Sequence, residues 1–285
     1  MLWRSRERAK PNVKQSRSVL ICHHDEPLNR FGLGRWLASF TELAAIIVVR
    51  EPQARLLRRI RREIRRVGIL RFMDVLAFRI YYRLALARAD NAWIQATLED
   101  LLQRYAEIPA SCRVLDTSSP NSAEALRLLR KVQPDLVLAR CKNILREHVF
   151  KTALNGTFVM HPGVCPEYRN AHGCFWALVH RDLNNVGMTL LRVDVGVDTG
   201  PVYGYYKYLF DERRESHVVI QNRVVFDNLE ALRAKFEEIL SGRARTIDTA
   251  GRRSRAWGQP WLTGHVRRKR AARRTACASN YTTVS

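Results

Sequence analysis

Cysteine is scarce. The six residues at positions 22, 112, 141, 165, 174 and 277 include no C-x-x-C pair. That spacing argues against a zinc ribbon or a disulfide framework, and a reducing, cytoplasmic setting is the expectation. Long apolar runs are missing too. The longest, Leu43 to Val49, is far short of a membrane-spanning helix. No apolar stretch follows the basic N-terminus, so a secretory signal is not expected. Acid is in short supply, with 27 Asp and Glu against 49 Lys and Arg. The apolar share, 46%, is ordinary for a globular chain and too high for general disorder.

The net charge of +22 would suggest a polyanion binder if it were spread evenly, but it is not. Residues 1–17 carry +5, residues 50–71 carry +7 and residues 251–285 carry +9, leaving the remainder nearly neutral. Arginine outnumbers lysine 41 to 8. The basicity therefore sits in two tails and one helical insert. It predicts either a solvated surface or a contact with an anionic surface or nucleotide through the insert and tails.

Residues 1–17 read as a disordered basic arm. Ser18–Cys22 reads as a buried strand, Leu28–Phe40 as a helix with an apolar face, and Ala44–Val49 as a second strand. This strand–helix–strand opening predicts a parallel α/β sheet. Residues 52–106 interrupt it. Leu56, Ile60, Ile64 and Val67 form a helical stripe beside six arginines, Gly68 breaks it, and two more helices follow, the last over 92–106. The rhythm then resumes: strands at 114–115, 135–139, 157–160, 187–193 and 202–209, and helices at 121–132, 145–154, 171–183 and 216–240. Ser122 or Asn121 is the expected cap of the 121–132 helix. No apolar periodicity survives beyond Gly251, so 251–285 is expected to be a disordered tail, tacked down at most by Trp257 and Trp261. Residues 18–250 form the expected domain.

Two segments carry chemistry. The first runs from His161-Pro162-Gly163 through Pro166, Tyr168, Arg169 and Asn170 to His172-Gly173. A histidine at the carboxyl end of a parallel strand points into the crevice where α/β proteins bind ligands. The second is Asp194-Val-Gly-Val-Asp198-Thr-Gly-Pro201, a tight Gly-flanked loop that can bring a carboxylate to a neighbouring strand end. A carboxylate beside an imidazole orients it and stabilises its charged form.

Together with Gly187-Met188-Thr189 and Lys142-Asn143-Ile144-Leu145, these blocks resemble the folate-dependent formyltransferase family, which includes the glycinamide ribonucleotide, methionyl-tRNA and sugar N-formyltransferases. The likeness covers roughly 114–245 well and 18–50 weakly. It implies a Rossmann-like α/β fold, mostly parallel, and transfer of a formyl group from 10-formyltetrahydrofolate to a primary amine. By the same resemblance, His161 stabilises the oxyanion or accepts a proton, and Asp198 pairs with it and moves the amine's proton. Arg140, Asn143, Ile144 and Leu145, with Asp194, Gly196 and Thr199, line the pterin pocket. No metal is called for.

One departure matters. The family's catalytic Asn stands two residues before the His, and here that position is Val159. Loss of one oxyanion donor typically costs about 3–4 kcal/mol, roughly 10²–10³ in rate. Asn143, Asn155 and Asn170 are candidate replacements, and the alternative is a weakly active or inactive formyltransferase-like binding protein. The acceptor expected is a nucleotide-linked amino sugar. The segment after the first strand is not the glycinamide ribonucleotide enzymes' phosphate loop, and the 35 residues after Ala250 show no β-barrel pattern. Tyr203, Tyr205 and Tyr206 are read either as a stacking platform or as sheet packing. A rival reading is a zinc-dependent deacetylase built on His23-His24-Asp25-Glu26, with His148, His161 or His172 as a further ligand.

Overall fold

The chain begins its sheet in the middle, so its first strand is buried on both sides. The computed structural model describes the backbone of residues 16–281, and the side chains of that span apart from 53–59 and 275–281. The arm expected over 1–17 therefore lies almost wholly outside the described residues. Strand β1 (Arg17–His23) leads through a π-helical turn, Leu28–Leu33, into α1 (Gly34–Ala38), and β2 (Glu42–Val49) returns parallel to it. Three helices then intervene: α2 (Gln53–Val67), α3 (Ile69–Tyr81) and α4 (Ala87–Arg104). Gly68 separates the first two at φ 79°, a conformation glycine adopts without strain.

The second half runs β3 (Arg113–Thr117), α5 (Ala123–Val132), β4 (Leu136–Arg140), α6 (Glu147–Phe150), β5 (Thr157–His161), the short β6 (Arg169–Asn170) and α7 (Gly173–Val179). Strands β7 (Met188–Arg192) and β8 (Val202–Tyr206) follow, then α8 (His217–Phe226), α9 (Leu229–Leu240), β9 (Ala256–Trp257) and α10 (Leu262–Tyr281). The seven-stranded sheet has the order β3-β2-β1-β4-β5-β7-β8. Strands β3, β2, β1, β4 and β5 are parallel, β7 runs antiparallel to β5, and β8 runs antiparallel to β7. This is a mostly parallel, Rossmann-like sheet flanked by helices. Strand order reverses between β1 and β4, where an open α/β sheet forms its ligand crevice.

Both faces of the sheet are covered, which is why its strands read as continuous apolar runs rather than alternating ones. Leu20, Cys22, Phe158 and Met160 face one core with Trp36, Phe175 and Phe236. Val19, Ile21, Val137 and Ala139 face the other, against Leu129 and Phe150. Ser122 caps α5 by accepting from the Ala125 N–H at 3.1 Å. Ser216 caps α8 by accepting from Val218 and Val219 N–H, and donates to the buried Asp90 at 2.7 Å. The 216–240 stretch is two helices, not one, broken at Asp227-Asn228. The helices expected over 145–154 and 171–183 shorten to α6 and α7.

The disordered tail expected over 251–285 is corrected. Within the described part, β9 pairs in parallel with β6, and α10 packs on α3 and α7. The Trp257 ring stacks on Trp176 with centroids 4.9 Å apart, and Trp261 meets it edge-on at 4.5 Å. Thr263 donates its N–H to Asp74 of α3 at 3.0 Å and its hydroxyl to the same carboxylate. The helix escaped detection because its buried face is written in polar letters. His265, Arg268 and Ala272 keep the i, i+3, i+7 spacing of an inward stripe, yet only Ala272 is apolar. Deleting 254–285 would strip the cover from Trp176, Phe175 and Phe78. We expect it to lower the melting temperature by more than 10 °C, about 3 kcal/mol or more at the scale of large buried side chains. Unchanged melting by circular dichroism would show that α10 contributes nothing to the fold.

Candidate active site

Strand β5 places alternate side chains on alternate faces, so Val159 and His161 share one face two residues apart. His161 ends the strand and is buried, with Nδ1 3.3 Å from Asp198 Oδ2. Its Nε2 lies 2.7 Å from the carbonyl of Tyr168. A carbonyl only accepts, so this nitrogen carries a proton and donates it. The other edge of the ring faces a carboxylate.

Two glycines make this possible. A Cβ on Gly163 would lie 2.5 Å from the Tyr168 carbonyl, 2.8 Å from Gly173 Cα and 2.9 Å from His161 Nε2. A Cβ on Gly173 would lie 2.5 Å from Gly163 Cα. The loop 162–173 thus closes backbone against backbone. Thr189, opposite His161 in β7, locks it: its hydroxyl donates to Gly163 O at 2.6 Å and accepts from Cys165 N–H at 2.9 Å.

Asp198 comes from the β7–β8 connection, which folds back over the sheet face. Asp194 shapes that connection by accepting from Gly196 N–H at 3.0 Å and from the Thr199 hydroxyl at 2.8 Å. Asp198 itself stands at φ 52°, and its Oδ2 also accepts from Asn170 N–H at 2.8 Å. Arg169 braces the same loop by donating to Val197 O at 2.8 Å. Asn170 and His172 likewise have positive φ, 76° and 54°. Backbone held in this region marks a site that the surrounding structure over-determines.

The remaining expected site residues divide. Asn143, Ile144 and Leu145 lie beyond the carboxyl end of β4, with Ile144 exposed and Leu145 buried. Asn121 clamps this segment, donating to Ile144 O at 2.8 Å and accepting from Arg146 N–H at 2.8 Å. Asn143 donates to Glu51 at 3.1 Å, while its buried Oδ1 has no partner. Arg140 turns inward, donating to Met160 O and to Asn29 Oδ1, and burial lowers its pKa. Asp194 and Thr199 are spent on each other, and Gly196 closes their turn.

Val159 is partly buried against two apolar clusters, one that includes Val137 and Ala139 and one formed by Cys165, Leu191 and Val202. Of the three asparagines offered in its place, Asn155 precedes β5 and lies at the far end of the sheet. The Asn170 amide N–H is occupied by Asp198 and its side chain by Trp257 O. The tyrosines serve packing: Tyr203 meets Phe158 edge-on, Tyr206 is buried, and Tyr205 donates to Cys165 O at 2.7 Å. Burial pushes the thiols of Cys22, Cys141 and Cys174 up to about 12, which makes them poor nucleophiles. His23 accepts from Lys142 N–H, and Glu26 pairs with the Lys142 ammonium at 2.8 Å. Among the described residues no three His, Cys, Asp or Glu side chains converge as a metal would need.

Composition alone does not reveal a row of imidazoles running inward from the loop. His172 lies 5.9 Å, ring to ring, from His217, which packs on Phe78 and Phe175, and His265 also packs on Phe78, 5.4 Å ring to ring. Burial lowers the pKa of His172 and of His265 to about 4, and holds that of His217 well below the ordinary imidazole value. Nearby cations push the same way, Lys142 and Arg79 on His172 and Arg268 on the other two. Ordinary spacing rules miss the row because it joins three helices distant in sequence.

Residues 93–234 match the formyl transferase family. Methionyl-tRNA formyltransferase of Syntrophus aciditrophicus is 36% identical over 78 residues, 27% of this chain and 25% of that protein. Glycinamide ribonucleotide transformylase 1 of Symbiobacterium toebii superposes with a TM-score of 0.51 at 15% identity, over 86% of this chain and 100% of its own. A sugar N-formyltransferase from a Shewanella species superposes at 0.50 and 12% identity, over 89% of this chain and 87% of its own. The fold is thus shared with solved formyltransferases, and the stretch that matches the formyl transferase family, residues 93–234, is just under half of the chain. The chain aligns with only a quarter of the length of the first of these relatives.

Two outcomes follow from the geometry. Gly163→Ala forces a methyl group against the Tyr168 carbonyl, and we expect a loss of about 1–3 kcal/mol in denaturant unfolding. A neutral result would mean the loop has room to shift. The imidazole row sets a pH dependence. Each ring is held neutral in the fold, below the free value of 6.5. The unfolded chain therefore takes up more protons as pH falls, so stability is complete above about pH 6.5 and is lost toward pH 5, at about 1.4 kcal/mol per unit per ring. His265→Phe should flatten the melting temperature over that window, and an unchanged slope would show that the ring is already charged in the fold.

Proposed function

We propose that the protein transfers a formyl group from 10-formyltetrahydrofolate to a primary amine at the carboxyl end of β5. The observation that carries this reading is the His161–Asp198 contact, 3.3 Å, set by the glycine-locked loop on a formyltransferase fold. The folate derivative supplies an activated formyl carbonyl when bound. The residues present suit a planar, amide-bearing ring: Ile144, Val195 and Val197 offer exposed apolar surface, and Asn143 Oδ1 is a buried acceptor without a partner.

Asp198 is the more accessible member of the pair, its side chain 17% exposed against 5% for His161. It is therefore the group that takes the proton of the attacking amine; shared between Asp198 and His161 Nδ1, that proton would go to the folate nitrogen whose bond to the formyl carbon breaks. Asn170 N–H keeps the carboxylate aimed. Val159 presents no donor, so the rate is expected to fall about 10²–10³ below that of a site with an asparagine there.

The acceptor we propose is a small amine, a nucleotide-linked amino sugar first, supported by fold likeness to a sugar N-formyltransferase. The competing acceptor is the aminoacyl end of a tRNA, favoured by the local identity to methionyl-tRNA formyltransferase. Cys22, Cys112, Cys141, Cys165 and Cys174 are all unpaired, in keeping with a cytoplasmic, reducing setting. A second reading rests on Val159 and on the occupied Nε2: a protein that binds the folate and does not turn it over.

Single-turnover mixing with 10-formyltetrahydrofolate and a panel of both acceptor kinds separates these readings. We expect transfer to an amino sugar, lost by about 10²–10⁴ in Asp198→Asn and raised or unchanged in Val159→Asn. Folate binding without transfer to any amine would support the binding-protein reading. Equal activity in Asp198→Asn would remove the pair from the chemistry.

A further inference from the structure

Helix α3 is apolar on two opposite sides. Val75 and Phe78 are buried against the domain, at 2% and 4% exposure. On the outward side, Ile69, Leu70, Met73, Leu76, Ile80 and Leu84 are exposed, Leu70 and Leu84 by more than 80%. Positions 69, 73, 76, 80 and 84 repeat at helical spacing, so the exposed side chains form one continuous stripe along α3 and the π-turn that extends it. A soluble surface rarely carries so many large apolar side chains in a row.

The surroundings of the stripe are basic. Residues 53–88 contain eleven arginines against two acids, a net +9. Arg61, Arg62, Arg65 and Arg66 of α2 and Arg79, Arg83 and Arg88 along the stripe are exposed. Both acids are engaged, Glu63 by Arg66 at 2.6 Å and Asp74 by Thr263 and Arg71. A second copy offering the same face would bring like charges together. An anionic bilayer surface answers both features at once, taking the apolar side chains below the headgroups and the guanidinium groups among the lipid phosphates. Among the described residues no helix is long and apolar enough to cross a membrane, so the contact lies in the interface.

We propose that α2 and α3 dock this protein on anionic membranes, with the Ile69–Leu84 stripe inserted and the α2 arginines on the headgroups. The function this adds is placement of the formyltransferase domain at a lipid surface. It does not depend on which amine the site uses.

The test is flotation of the full-length protein with vesicles of phosphatidylcholine alone or mixed with phosphatidylglycerol. We expect the protein to float with the mixed vesicles and not with phosphatidylcholine. Leu70→Ser with Leu84→Ser should weaken the partition about tenfold or more, and so should replacing Arg61, Arg62, Arg65 and Arg66 by Gln. These positions are exposed, and an unchanged melting temperature confirms that each variant folds. Ile80→Cys carrying an environment-sensitive dye should shift to the blue on mixed vesicles. The proposal is overturned by failure to float at low salt, by flotation indifferent to the serine variants, or by a dimer that those variants convert to a monomer in sedimentation equilibrium.

Discussion

The contact between the backbones of Gly163 and Gly173 is the constraint on which the rest of the site depends. No side chain fits between the two segments, since each Cβ would stand under 3 Å from several backbone atoms. Their approach brings the Tyr168 carbonyl over His161 Nε2, and that bond fixes the ring so that Nδ1 meets Asp198. Thr189 ties the same loop to β7 through two hydrogen bonds. The result is an imidazole–carboxylate pair oriented from both ends, the arrangement that the proposed proton transfer requires.

How far the sequence showed this depends on the alphabet each element is written in. The strands of the parallel sheet were legible because burial on both faces leaves near-continuous apolar runs, as in Leu43–Val49. The insert was legible from its arginine-flanked stripe and from Gly68. The motifs around His161 and Asp198 were legible as residues in order. Their pairing was expected too, but not how it is held, because that depends on a connection between antiparallel strands doubling back over the sheet. Arg140 shows the same limit. It lies where the pocket was expected, and its guanidinium is turned inward onto Met160 O.

Helix α10 was illegible for a different reason. Its inward face is His265 and Arg268, and hydrophobic periodicity is blind to a buried arginine. Arg268 is fully buried with its three nitrogens unpartnered, and burial pulls its pKa down to about 10. A buried charge of this kind is a stability liability rather than a brace. The neighbouring imidazoles answer it by staying neutral. The whole inward row, from His172 to His265, is thus kept neutral where the 162–173 loop meets Phe78 of α3.

The central claim is that the loop holds His161 with Nε2 donating to Tyr168 O and Nδ1 turned to Asp198. Long-range nitrogen–proton correlation NMR on selectively labelled histidine reads this directly. The account predicts a His161 Nε2 that is protonated at neutral pH, and an Nδ1 signal that moves in Asp198→Asn while Nε2 stays protonated. A His161 whose Nε2 is unprotonated and open to solvent, with an Nδ1 indifferent to position 198, would contradict it.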